Sequence, residues 1–303
     1  MVDNAWRWLS RVNARFLIGV MMMMMRPIAF ILLLVFVGHA RPVDEKIKIE
    51  DLIAKHLESI GTAEARRAGR SRIAAGDSTM NVKTGGRGSA SGVALIASQD
   101  GKVLLKAEYA NAATYPFEKF GFDGRKFYAL QYAPGARSPL AQFMMSHDTI
   151  FSEGLIGGTL SSAWPLLNLL DRDPKLQYGG TEKIKGRQAH KVKYMPRAGS
   201  DLKITLFFDA ETFQHVRTDY ERVLPAPMGA TPGESASQRE IRYKLVEEFS
   251  DFRPESGLTL PHTYNLQFSV IQLNNPLALD WTISLEKFTF DYPIEAKEFV
   301  TDN

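Results

Sequence analysis

Ser146, His147 and Asp148 set a hydroxyl, an imidazole and a carboxylate side by side, the three groups that hydrolytic nucleophilic catalysis uses. Consecutive residues do not build a triad, because its members are brought together from separate segments by the fold. No Gly-x-Ser-x-Gly elbow accompanies them. A helix break suits the trio better, with Asp148 as an N-cap. The histidines His39, His56, His147, His190, His215 and His262 are scattered, with no His-Glu-x-x-His and no pair at metal-ligand spacing. The run from Gly85 to Gly92 (GGRGSASG) resembles a phosphate loop only superficially. It lacks the Gly-Lys-Ser/Thr ending and a following helix, and it reads as a flexible turn between strands. The chain contains no cysteine, which excludes structural disulfides, thiolate metal sites, a cysteine nucleophile and a lipid-bearing lipobox cysteine. The expectation is therefore a protein with no catalytic residue, no metal and no cofactor.

The more informative chemistry is apolar. Ser138 to Leu170 is rich in Met, Leu, Phe and Trp, with spacing that suits helices broken at His147-Asp148 and at Gly154 to Gly158. Met144, Met145, Ile150, Phe151, Leu155, Ile156, Trp164, Leu166 and Leu167 could be ordinary core. Methionine, however, is the adaptable side chain favoured where a surface accepts variable apolar ligands. The internal glycines supply hinges, so the segment is expected to be a helical lid over 138–170.

The elements around it are strands. Leu176 to Arg222 reads as three consecutive antiparallel strands: Val192 and Tyr194 alternate with lysines, and Leu202, Ile204, Leu206 and Phe208 alternate with Lys203, Thr205 and Asp209. Short loops at Pro196–Ser200 and Asp209–Thr212 make this a meander. Its residues, GTEKIKGRQAHKVKYMPRAGSDLKITLFFDAETFQHVRTDY, resemble the core of the outer-membrane lipoprotein-sorting family, relatives of the LolA/LolB-type periplasmic lipoprotein carriers. The likeness lies in the Gly-Thr-Glu opening, the Gly186-Arg187 turn, the Leu-x-Ile-x-Leu-x-Phe-Asp strand and the acidic turn before Val216-Arg217-Thr218. It implies a half-open β-barrel covered by helices that holds lipoprotein acyl chains.

Before the meander, Ile49 to Ile60 carries a helical stripe stopped by Gly61, and Ala63 to Ala68 extends it or adds a short helix. Strands follow around the turn Gln99-Asp100-Gly101, with Val93, Leu95 and Ala97, then Val103, Leu105, Ala107 and Tyr109, expected on one side, and again at Phe127 to Tyr132. After the meander, residues 224–238 are Pro, Gly, Ala and Ser without periodicity and read as a mobile loop. Three long strands then follow, in which Ile241, Tyr243 and Leu245, then Tyr264, Leu266, Phe268 and Val270, then Leu279, Trp281, Ile283 and Leu285 alternate with polar residues. About ten or eleven antiparallel strands are expected, a mainly β protein with helices (α+β). A sheet of that size curled on one greasy face encloses more width than its side chains fill. The ligand-facing set is thus Leu105, Tyr109, Ile204, Leu206, Phe208, Tyr264, Leu266, Phe268, Trp281 and Ile283, with Met144, Met145, Ile150, Phe151, Leu155 and Trp164 from the lid.

Residues 28–37 form a short apolar core after Arg26, ending in Gly38-His39-Ala40, which reads as a secretory signal over 1–40, an uncleaved anchor being the alternative. Removing it takes away Arg7, Arg11, Arg15, Arg26 and Asp3, and leaves residues 41–303 as one half-barrel domain of zero formal charge. Such a chain lacks the basic field of nucleic-acid binders. The expectation is a periplasmic, monomeric, non-catalytic carrier of lipoprotein acyl chains or another lipophile, with a membrane partner protein possible. The alternative is an envelope-stress sensor or protein-interaction domain of the same fold.

Overall fold

The computed structural model describes residues 47–110, 112–226, 239–273 and 275–300. The expected signal over 1–40 lies outside these residues, as does 227–238 of the expected loop. Two helices, α1 (Ile49–Ile60) and α2 (Ala63–Ala68), precede twelve strands in one antiparallel sheet. The strands are β1 (Ser71–Thr84), β2 (Gly88–Gln99), β3 (Lys102–Glu108), β4 (Phe117–Phe122), β5 (Phe127–Ala129), β6 (Lys175–Ile184), β7 (Arg187–Met195), β8 (Lys203–Asp209), β9 (His215–Leu224), β10 (Ile241–Glu255), β11 (Leu258–Ile271) and β12 (Leu277–Phe290). Their order across the sheet is β5-β4-β3-β2-β1-β12-β11-β10-β9-β8-β7-β6. Both blocks are meanders, joined where β1 pairs with β12. The edge strands β5 and β6 do not pair with each other, so the barrel is open.

Twelve strands exceed the expected ten or eleven, partly because Leu176 to Arg222 holds four strands rather than three. Alternation in β6 is interrupted at Gly179-Gly180, where its register with β7 shifts between Tyr178 and Thr181. The Gly85 to Gly92 run is likewise only partly a turn, since Gly88 onward belongs to β2. Gly92 is needed there because a Cβ would stand 1.8 Å from the carbonyl oxygen of Glu108. Asp100 and Gly101 both have positive φ, 50° and 79°, the primed turn that fits the twist of two strands. The Phe127 strand is short, ending at Ala129. Val93, Leu95 and Ala97 face away from the side that Val103, Leu105 and Ala107 share: the pairing sets Ile96 beside Leu105 and Ala97 beside Leu104, so it is Ala94 and Ile96 that join the main core.

One face of β8 is the core face, with Leu202, Ile204, Leu206 and Phe208 buried and Lys203 exposed. Thr205 points to the other face but is also buried. It lies between Lys193 and Asp219 of the neighbouring strands. On α1 the stripe Leu52, Ile53, His56 and Ile60 is buried.

The connection from β5 to β6 joins the two opposite edges of the sheet, so it crosses the concave side. It contains α3 (Pro139–Ser146), α4 (Thr149–Ser152), 3-10 turns at Gly158–Leu160 and Pro165–Asn168, and α5 (Leu169–Arg172). Ser138 caps α3 by accepting a hydrogen bond from the Ala141 N–H, and Pro139 occupies the first turn, where no N–H is needed. The breaks at 147–148 and 154–158 fall as the sequence indicates. Asp148 holds the N-cap position of α4 without a side-chain cap bond.

Candidate binding site

The crossing segment is fixed to the sheet by buried polar groups. Glu247 of β10 accepts hydrogen bonds from the Gly157 N–H (2.7 Å), the Tyr264 hydroxyl (2.8 Å) and the Tyr220 hydroxyl (2.6 Å). Burial pushes its carboxyl up to about 7, although these three donors favour the charged form. Glu118 of β4, held by Tyr115 and Ser138, is likewise pushed up to about 7 by burial. Arg72 of β1 donates to the carbonyls of Gly69 and Thr159, and burial lowers its guanidinium to about 10. His56 ties α1 to the β8–β9 loop and to the crossing segment: its Nδ1 meets the Phe213 carbonyl and its Nε2 accepts from the Trp164 indole N–H, both at 3.0 Å. Burial lowers its pKa to about 4, so the ring is neutral. Trp164 also stacks on His215, at 4.4 Å between ring centroids.

These anchors leave little room beneath the middle of the segment. Leu140, Met144, Ile150, Phe151, Leu155, Ile156, Trp164 and Leu166 are each at most 1% exposed. They share one buried cluster with Leu105, Tyr109, Ile204, Leu206, Phe208, Tyr264, Leu266, Phe268, Trp281 and Ile283. Every residue of the expected ligand-facing set thus lies in this cluster except Met145, which is 45% exposed. On a helix, consecutive side chains point about 100° apart, so burying Met144 against the sheet turns Met145 outward.

Space remains at the α3 end. A cleft of about 530 Å³ opens between α3 and strands β9 to β12. Its apolar wall is Phe143, Tyr243, Phe268, Val270 and Leu277, with Leu224 alongside. Polar lining comes from Gln142, Ser146, His147, Asp201, Arg222, Gln272 and Asn275. Asp201 joins two of these: one carboxylate oxygen is 3.2 Å from His147 Nδ1 and the other 3.1 Å from Arg222 Nε. His147 thus finds its carboxylate in the β7–β8 loop and not in Asp148. Ser146 donates back to the Gln142 carbonyl along its own helix, so the hydroxyl does not face an imidazole base.

Of the expected set only Phe268 lines this cleft. Phe143, Asp201 and Arg222 were not signalled by the sequence, because their neighbourhood joins α3 to strands far along the chain. A second, apolar groove of about 590 Å³ runs between α1 and the start of β6, lined by Ile49, Ile53, Leu57, Leu169, Leu170 and Leu176 among others. Among the described residues no helix is long and apolar enough to cross a membrane, and no group of three or more His, Cys, Asp or Glu could hold a metal.

No protein-family model matches the chain, and no curated protein sequence does. Among solved structures, the fold is similar to that of a LolA superfamily protein from Nitrosomonas europaea. The two share 10% identity over 84% of this chain and 98% of that one, with a TM-score of 0.45. A putative outer membrane lipoprotein-sorting protein domain from Vibrio parahaemolyticus is similar at 9% identity over 82% of this chain and 96% of that one, with a TM-score of 0.42.

Proposed function

We propose that the chain is a periplasmic, non-catalytic binding or carrier protein for a lipophilic ligand, a lipoprotein acyl chain or another lipid chain, held in the cleft beside α3. In this reading a signal over 1–40 precedes one half-barrel domain over 41–303. The observation that carries the proposal is a cleft of about 530 Å³ with aromatic and aliphatic walls and polar groups among its lining, on a protein whose other apolar side chains are largely packed away. Ligand sites are commonly concave, mostly apolar and of this order of size. Burial of each methylene contributes about 0.8 kcal/mol. A dozen methylenes therefore give on the order of 10 kcal/mol before the cost of association, which offsets much of it. A ligand held on those terms can be passed on.

A second reading, an interaction domain of the same fold, draws on the groove beside α1, where Leu170 is 95% exposed. Native mass spectrometry of the protein purified from its own envelope separates the two. Co-purified lipid, released by Leu277→Asn, supports the carrier. A bound peptide supports the interaction domain, and an empty protein that takes up no dodecanoyl probe ends the carrier reading.

A further inference from the structure

The polar side of the cleft selects for one kind of head group, an inference that rests on the binding reading above. His147 ends α3 with its ring only 9% exposed and tilted over Phe143, 4.7 Å between centroids. Its Nδ1 faces Asp201, so the neutral ring carries its proton on Nδ1 and its lone pair on Nε2. Nε2 makes no hydrogen bond within the described residues, and it is not among their fully enclosed unpartnered atoms. It is therefore open to the cleft that His147 lines. Asp201 is matched by Arg222, and Asp148, next to His147 in the chain, adds a further negative charge. Among the described lining residues Arg222 is the one cation, and its pairing with Asp201 leaves no unpaired positive charge to attract a phosphate or carboxylate head. The remaining polar lining, the amides of Gln142, Gln272 and Asn275 and the Ser146 hydroxyl, is uncharged.

We infer that the cleft binds a single-chain amphiphile with an uncharged, hydroxyl-bearing head, of the monoacylglycerol type, whose hydroxyl donates a hydrogen bond to His147 Nε2 while the acyl chain lies along Phe143, Phe268 and Leu277. Burial, the largest influence on the ring, lowers its pKa and keeps Nε2 an acceptor at neutral pH. Asp201 is a positioning residue that fixes the tautomer.

The test compares two ligands with the same chain: 1-dodecanoylglycerol, and its dimethyl ether, which keeps the oxygens and lacks the donors. Affinities are read by displacement of a fluorescent fatty-acyl probe from the full chain. The protein is expected to prefer the glycerol ester roughly three- to tenfold, the range of one net hydrogen bond. His147→Phe should bind both esters equally, at about the affinity the parent shows for the ether. Asp201→Ala, at a half-exposed position, frees the tautomer, so Nε2–H can donate to the ether, and the preference should narrow by a gain in ether binding. Melting curves establish that each variant is folded, and the Asp201→Ala arm stands if His147→Phe is not. Equal binding of the two esters by the parent, a preference that survives in folded His147→Phe, or tighter binding of dodecanoate than of either ester overturns the inference while the carrier reading stands. No binding of any dodecanoyl ligand overturns both.

Discussion

The crossing segment behaves differently at its two ends, although both are equally greasy in sequence. From Ile150 to Leu166 its apolar side chains are sealed against the concave face, and Glu247, Arg72 and His56 hold it there. Around α3 the inner side chains Leu140, Phe143 and Met144 are buried too, but beside the helix a cleft stays open toward the ends of β9 to β12. The first region is packed into the half-barrel like a plug, and the second borders an open cleft, the proposed ligand site. Apolar composition alone does not distinguish them; what does is whether the strands opposite come close enough to close the gap.

Substitutions should sort by region. Phe151, fully buried against Phe120 and Phe127, should give the largest effect. Phe151→Ala is expected to cost about 3–5 kcal/mol by chemical denaturation, and Phe151→Asp to leave the domain unfolded. A folded Phe151→Asp variant that merely loses ligand would mean that the plug lifts as a lid.

Glu247 tests the anchoring through pH. Its carboxyl is raised to about 7 by burial, against an unfolded value near 4.5. The folded chain thus keeps a proton that the unfolded chain releases between these values. The stabilisation is full below pH 4.5 and is lost as the pH rises through 7. Glu247→Gln lacks this term, so its stability relative to the parent should improve steadily from pH 4.5 to 7.5, with His56 and His215 cancelling in the difference. A pH-independent difference in denaturation midpoints would place Glu247 outside the low-dielectric interior.

At the rim the expected effects move from stability to binding. Leu277→Asn, at a half-buried wall of the cleft, should weaken binding of a dodecanoyl probe by about 1–2 kcal/mol, an order of magnitude in Kd, with little change in melting. Met145→Asp should change the stability by no more than about 0.5 kcal/mol, because its side chain is 45% exposed and absent from the cleft lining.

Much of the architecture is legible in the sequence. The period of α1, the Asp100-Gly101 turn, the alternation of β8, β11 and β12 and the breaks in the crossing segment are local signals, each written within a few residues. β6 was hidden because its Gly179-Gly180 bulge shifts the phase of alternation. The difference between plug and rim was not legible, since Met144 and Met145 carry the same side chain and only the angle around α3 separates them. The partner of His147 was equally hidden: Asp148 is adjacent in sequence, yet the fold supplies Asp201.

The most direct test of the central claim is photolabelling with a 1-acylglycerol that carries a diazirine in a twelve-carbon chain, followed by peptide mapping. Labels on Phe143, Tyr243, Phe268, Val270 or Leu277 are the predicted result. Labels on Phe151, Leu206 or Trp281 would show that the segment opens over the whole concave face and would contradict the account.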